Sequence, residues 1–206
     1  MATWLGVLPC FQLPMHDRVF DPSQVHKLEA PERLRWLPPG EVLGWLELRP
    51  GMTVADIGAG TGYFAIPLAR AIGPTGRVLA VDLQPELLEM LRGKLAQPDA
   101  PANIVTVEGT ASSTGLADSG CDVALLANVW HELDDPAATL AELGRILKPG
   151  GRIAVLDWRP DAEHPPGPPL EHRLSAGEVQ RFFEDHGKRV DAVRNVGKYS
   201  YLVLAS

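Results

Sequence analysis

The chain holds only two cysteines in 206 residues, Cys10 and Cys121. Two thiols cannot build a disulfide framework, and neither sits in a CxxC or Cys/His spacing that would bind zinc. Cys121 opens the apolar run CDVALLA and reads as a small buried hydrophobe rather than a nucleophile. Such sparing use fits a reducing compartment, so a cytoplasmic protein is expected. Runs of Lys and Arg are missing too. The formal net charge is −7, with 19 basic against 26 acidic residues, so a nucleic-acid groove is not expected. Long apolar stretches are also scarce. The opening MATWLGVLPCFQLPM lacks the basic start of a signal peptide and is too short to span a bilayer. It reads as a disordered or loosely docked leader, and no membrane association is expected. His16, His26, His164, His172 and His186 show no metal-ligand spacing and read as solvated or loop histidines.

Apolar residues are present in a regular rhythm. TVADI (53–57), RVLAVD (77–82), NIVTVE (103–108), DVALLAN (122–128) and RIAVLD (152–157) are almost continuously apolar, as strands covered on both faces are. Helical segments lie between them. Residues 62–72 follow a glycine turn. Residues 85–97 start at Pro85 and stripe Leu87, Leu88, Leu91 and Leu95 along one side. Residues 136–147 follow the capping residue Asp135 and align Leu140, Leu143 and Leu147, and KPGG (148–151) is expected to stop that helix. Strand and helix in alternation mean βαβ units and a parallel sheet. Ser175 and Glu178 form a capping box for one more helix. After it, RVDAVRNV and KYSYLVLAS are split only by a turn at Gly197 and should pair antiparallel. The first 50 residues are Pro-rich, with helical stretches at 30–36 and 39–47, and read as a cap. Residues 159–174 hold five prolines and read as an extended or mobile loop.

The glycine turn, VADIGAGTGYF at 54–64, carries the chemistry. Gly58, Gly60 and Gly62 give GxGxG, and Tyr63 takes the place of the third glycine of the dinucleotide fingerprint GxGxxG. Asp56 stands two residues before the first glycine. A carboxylate there is unwelcome beside a pyrophosphate and suits an ammonium group. Asp82 ends the next strand, twenty residues after Gly62, where an acidic side chain accepts hydrogen bonds from ribose hydroxyls. The site therefore asks for a ribose and an amino-acid-like cation without a phosphate. S-adenosylmethionine meets those demands.

Together, VADIGAGTGYF, VLAVDLQPELLEML, ANVWHEL and LAELGRILKPGGRIAVLDW resemble the successive motifs of class I S-adenosylmethionine-dependent methyltransferases. The resemblance covers about residues 40–206. It implies a Rossmann-like, doubly wound, seven-stranded α/β sheet with an antiparallel last strand, preceded by a leader and helical cap over 1–39. It also implies roles. Asp56 and the backbone of Gly58, Ala59 and Gly60 would hold the methionine end. Asp82 would hold the ribose, Leu83 would pack on the adenine, and Asn128 would offer its carbonyl near the amino group. Family members often carry an acidic residue after the third strand to meet the adenine amine. Here the sequence reads EGTASSTG, with Glu108 early and Thr110 or Ala111 at the usual place. Two poorly placed cysteines do not suit an arsenite substrate, and HKLEAPERLRWLPP does not resemble the opening of the quinone enzymes.

The expected partner is a small-molecule methyl acceptor, on a monomer or homodimer. Methyl transfer needs alignment and water exclusion, with a base only for a protonated nucleophile. Candidates at the strand tips are Asn128, Trp130, His131 and Glu132, then Asp157, Trp158 and Arg159. His131 is the candidate base, or else it orients its own segment. Trp130 and Trp158 either wall a substrate or pack in the core. Tyr63 either meets the cofactor or packs its helix. Residues 16–38 and 159–174 are the segments able to close over the methyl end. The competing readings are a nicotinamide-dependent oxidoreductase and a methyltransferase-like module that binds without turnover.

Overall fold

A computed structural model describes residues 20–162 and 166–206. The leader, Cys10, His16 and His164 lie outside the described residues. Two short helices open the fold, α1 (Arg33–Trp36) and α2 (Pro39–Trp45), after a 3-10 turn at Pro22–Lys27. Then come β1 (Thr53–Ile57), α3 (Ala65–Ile72), β2 (Arg77–Asp82), α4 (Pro85–Leu95), β3 (Ile104–Glu108), β4 (Cys121–Ala127), α5 (Pro136–Ile146), β5 (Leu147–Trp158), α6 (Ala176–Asp185), β6 (Val190–Val196) and β7 (Ser200–Ala205). The strands form one seven-stranded sheet in the order β3-β2-β1-β4-β5-β7-β6. β1 to β5 run parallel, and β7 lies antiparallel between β5 and β6. The expected fold and the terminal hairpin are both observed.

The sheet is buried on both faces. One face covers Leu37, Val42 and Leu46 of the N-terminal cap together with Leu68 and Ile72 of α3 and Leu91 of α4. The other covers Leu140, Leu143 and Ile146 of α5 with Val179 and Phe183 of α6. Burying a side chain such as Phe183, 0% exposed, contributes about 1.5–3 kcal/mol. Local signals set the helix starts. Asp135 accepts from the Ala138 amide, and Ser175 and Glu178 close the capping box.

Several boundaries shift from expectation by one to three residues, as in α1, which starts at Arg33 and not residue 30, and two of the differences have a local cause. The helix after the glycine turn starts at Ala65, not residue 62, because Gly62 sits at φ +87 and a Cβ there would lie 2.4 Å from Leu91 Cδ1. KPGG does not form a separate stop. The chain passes from Ile146 straight into β5, and the register with β4 slips between Cys121 and Val123. Gly150, at φ +77, accommodates that bulge.

Strand order reverses beside β1, whose neighbours are β2 and β4. In open parallel sheets a crevice forms there, at the carboxyl ends of the strands. The residues that follow β1, β2 and β4 therefore face one place.

Candidate functional site

The glycine turn is fastened to the tip of β2. The Gly58 and Ala59 amides donate to the Val81 carbonyl at 2.8 and 3.0 Å, and the Gly60 amide donates to Asp82 Oδ2 at 2.7 Å. Asp82 Oδ1 accepts from the Gln84 amide at 2.9 Å. A pyrophosphate would need those amides free, and all three already have acceptors within the chain. Gly58 is required where it stands, since a Cβ would meet Val129 Cγ2 at 2.3 Å. Burial pushes the Asp82 carboxyl up, while the Gln84 and Gly60 amides pull it back. A carboxylate has about four lone-pair positions, so Asp82 keeps room for ribose hydroxyls. Leu83, 49% exposed, forms an apolar shelf next to it.

Asp56, in β1, is 1% exposed, and neither of its carboxylate oxygens has a hydrogen-bond partner. Burial and the neighbouring Asp82 charge push its carboxyl up to about 7, against the pull of Arg33 and of the nearby Ala65 amide, which lies outside hydrogen-bond geometry. A buried carboxylate of this kind calls for a cation, so the residues present fit the ammonium of a methionine moiety. Asn128 follows β4 at φ +59, with its side-chain carbonyl buried and unpartnered. Thr110 and Ser113 exchange backbone hydrogen bonds at 3.1 and 3.2 Å, which turns Ala111 partly inward against the core. Tyr63 donates its hydroxyl to the Leu37 carbonyl at 2.6 Å, and its ring lies under Arg33.

His131 lies in the 3-10 turn Trp130–Glu132 after β4 and is 6% exposed. Its Nδ1 is 2.8 Å from Asp157 Oδ1, its amide donates to Asp157 Oδ2 at 3.0 Å, and its Nε2 is 3.7 Å from Glu132 Oε1. Burial disfavours the charged ring, but the Asp157 carboxylate and its hydrogen bond outweigh this, so the ring's pKa is raised. Glu132 is pushed up to about 7, mainly by burial. The two tryptophans part company. Trp130 is core, edge-on to Phe182 and Phe183 at 5.6 and 5.1 Å. Trp158 faces Trp36 at 5.3 Å and Arg173 at 5.6 Å.

Residues 20–37 lie across the glycine turn. Leu28 Cδ1 is 3.7 Å from the point where a Cβ on Gly60 would stand. Glu29 accepts from the Thr61 hydroxyl, and from Lys94 at 2.7 Å. Gln84 Nε2 donates to the Phe20 carbonyl at 2.8 Å. Residues 166–173 pack on Trp158, which in turn faces Trp36 of the N-terminal segment: Gly167 lies against the Trp158 ring, and Arg173 donates to the Pro168 carbonyl at 2.6 and 2.9 Å. Four contributors had no sequence signal of their own: Glu29, Arg33, Gln84, and Asp157 as partner of His131. The spacing of Asp157 from His131, 26 residues, points to nothing until β4 and β5 are known to be neighbours.

With this geometry in view, the chain's similarities are specific. The family described as a methyltransferase domain matches residues 55–155. An uncharacterised methyltransferase of Mycobacterium tuberculosis is 38% identical over 127 residues, 62% of this chain and 48% of that protein. A ubiquinone/menaquinone biosynthesis C-methyltransferase of Shewanella halifaxensis is 34% identical over 110 residues, 53% of this chain and 44% of that protein. The chain thus spans about half the length of the curated relatives it matches. The crystal structure of a SAM dependent methyltransferase from Aquifex aeolicus superposes with a TM-score of 0.85 at 36% identity, covering 91% of this chain and 98% of that one.

Proposed function

The chain belongs to the class I S-adenosylmethionine-dependent methyltransferases, and from that footing we propose that it methylates a small, largely apolar acceptor. The observation that carries the cofactor assignment is Asp56: a buried carboxyl without a hydrogen-bond partner, beside a glycine turn whose Gly58, Ala59 and Gly60 amides are already bonded to Val81 and Asp82. When bound, S-adenosylmethionine supplies a methyl carbon already activated by a positive sulfur. Asp56 holds the ammonium, Asp82 the ribose hydroxyls and Leu83 the adenine. Tyr63, Thr110, Ala111, Asn128 and the backbone of Gly58, Ala59 and Gly60 line the remainder.

His131 serves as the base. Asp157 accepts from Nδ1–H, which fixes the tautomer and leaves Nε2, 3.7 Å from Glu132 Oε1, unprotonated and able to take a proton. A base matters when the attacking atom carries an ionisable proton, as in a phenol or an enol. Trp36 of the N-terminal segment meets Trp158 at the end of β5 at a tilted 38° with ring centroids 5.3 Å apart, and this pair favours an apolar, ring-bearing acceptor. Residues 20–38 and the loop after β5 close the site against water. The Shewanella halifaxensis relative, named for quinone biosynthesis, supports a small-molecule acceptor without selecting a quinone, since that match covers 53% of the chain.

Transfer of a labelled methyl group over a panel of phenols, catechols, quinols, amines and thiols tests the proposal. Product with a hydroxyl-bearing ring, lost in His131→Gln, is expected. S-adenosylhomocysteine binding without transfer to any member contradicts it.

A further inference from the structure

Arg33 is a lid residue with an unusual environment. It is 6% exposed, and its guanidinium lies 3.9 Å from the Tyr63 ring centroid. An arginine carries five N–H donors. Among the described residues Arg33 makes one hydrogen bond, from Nη1 to the Leu28 carbonyl at 3.2 Å. Burial lowers its pKa to about 10, as expected for a cation short of compensation. Two carboxylates act on it electrostatically, Glu29 and Asp56. Glu29 is already held by Thr61 and Lys94. Asp56 has no hydrogen-bond partner, so Arg33 does not reach it directly. One buried cation and one buried carboxyl group therefore sit near each other, each with unused hydrogen-bonding capacity.

A zwitterionic amino acid completes both groups at once. Its ammonium answers Asp56 and its carboxylate answers the guanidinium. Neither a ribose nor a nicotinamide offers that pair of charges. We propose that Arg33 binds the α-carboxylate of the cofactor's methionine moiety opposite Asp56, so that the amino-acid end draws residues 20–37 shut. The inference rests on the methyltransferase reading of the same crevice. It adds a cofactor-binding residue and makes closure depend on the carboxylate. Tyr63 then has a defined part, holding the guanidinium flat by a cation–π contact while its own hydroxyl ties to Leu37 in the same segment.

Calorimetry with three ligands tests this: S-adenosylhomocysteine, its analogue without the α-carboxylate, and 5′-methylthioadenosine, which lacks the whole amino-acid end. On the parent protein, S-adenosylhomocysteine should bind about tenfold to a hundredfold tighter than the decarboxylated analogue, the span of one charge-assisted hydrogen bond. In Arg33→Gln that preference should collapse to about threefold or less, with 5′-methylthioadenosine affinity within about twofold of the parent. Arg33→Lys should keep part of the preference. Hydrogen exchange on the parent should show residues 20–37 protected by S-adenosylhomocysteine and not by 5′-methylthioadenosine. Equal affinity of the parent for S-adenosylhomocysteine and its decarboxylated analogue overturns the clamp while leaving the cofactor assignment standing. Equal weakening of all three ligands in Arg33→Gln also overturns it, as a merely structural arginine would behave that way. No binding of any of the three to the parent overturns both.

Discussion

Replacing Asp56 by asparagine removes a buried charge and keeps the shape. In the folded chain the Asp56 carboxyl is raised from 3.8 to about 7 by burial and by Asp82, with Arg33 pulling the other way. The folded state therefore holds its proton where the unfolded chain has lost it. Stability from this group is fully present below about pH 4 and is lost as pH rises to about 7. A shift of about three pH units corresponds to about 4 kcal/mol. Urea unfolding at pH 5, 6, 7 and 8 reads it directly. The parent should lose stability relative to Asp56→Asn across that range, and the gap should level off above pH 7. Taking the difference cancels His131 and Glu132, which titrate in both proteins. Cofactor binding should run the opposite way, because an ammonium needs the ionised carboxylate. Parent affinity for S-adenosylhomocysteine should fall about tenfold per pH unit below pH 7, while Asp56→Asn should bind weakly with little pH dependence. Parallel stability curves, or parental affinity of Asp56→Asn at pH 8, would refute the assignment.

Asp82→Ala should weaken S-adenosylhomocysteine binding by about 1.5–3 kcal/mol and also lower stability by about 1–3 kcal/mol, since the Gly60 and Gln84 amides lose their acceptor. Calorimetry and urea titration should show Asp82→Asn sparing more of the stability than of the affinity, and undiminished affinity in either variant counts against the ribose role. Asp157→Asn removes the charge that raises the His131 ring. The acid limb of the turnover profile should then move to lower pH as kcat falls, and an unmoved limb excludes His131 as the base. Hydrogen exchange should slow over 20–37 and 166–174 when S-adenosylhomocysteine binds, and protection confined to 54–112 would leave the site open.

Much of the fold was legible because its signals are local. β1 and β2 fall at the bounds their apolar runs suggest, Asp135 and Ser175 cap the helices they precede, and Gly197 turns the final hairpin. Asp56 and Asp82 were legible because strand, glycine turn and helix are contiguous in sequence. Pairings across the sheet were not. His131 meets Asp157 only because β4 and β5 are neighbours. Trp130 lies just past β4 and Trp158 ends β5, yet α6 takes one into the core and Trp36 of the N-terminal segment meets the other. Arg33 lies in a four-residue helix beside exposed Leu34, where an arginine ordinarily faces water. Only the folded-over segment reveals it as buried.

Titrating the protein with S-adenosylhomocysteine and, separately, with NAD most directly tests the claim that this crevice is built for a sulfonium nucleoside and not a dinucleotide. Saturable binding of S-adenosylhomocysteine, weakened by Asp82→Asn and with no heat from NAD, is the predicted result. NAD binding in the micromolar range without S-adenosylhomocysteine binding is the result that would contradict it.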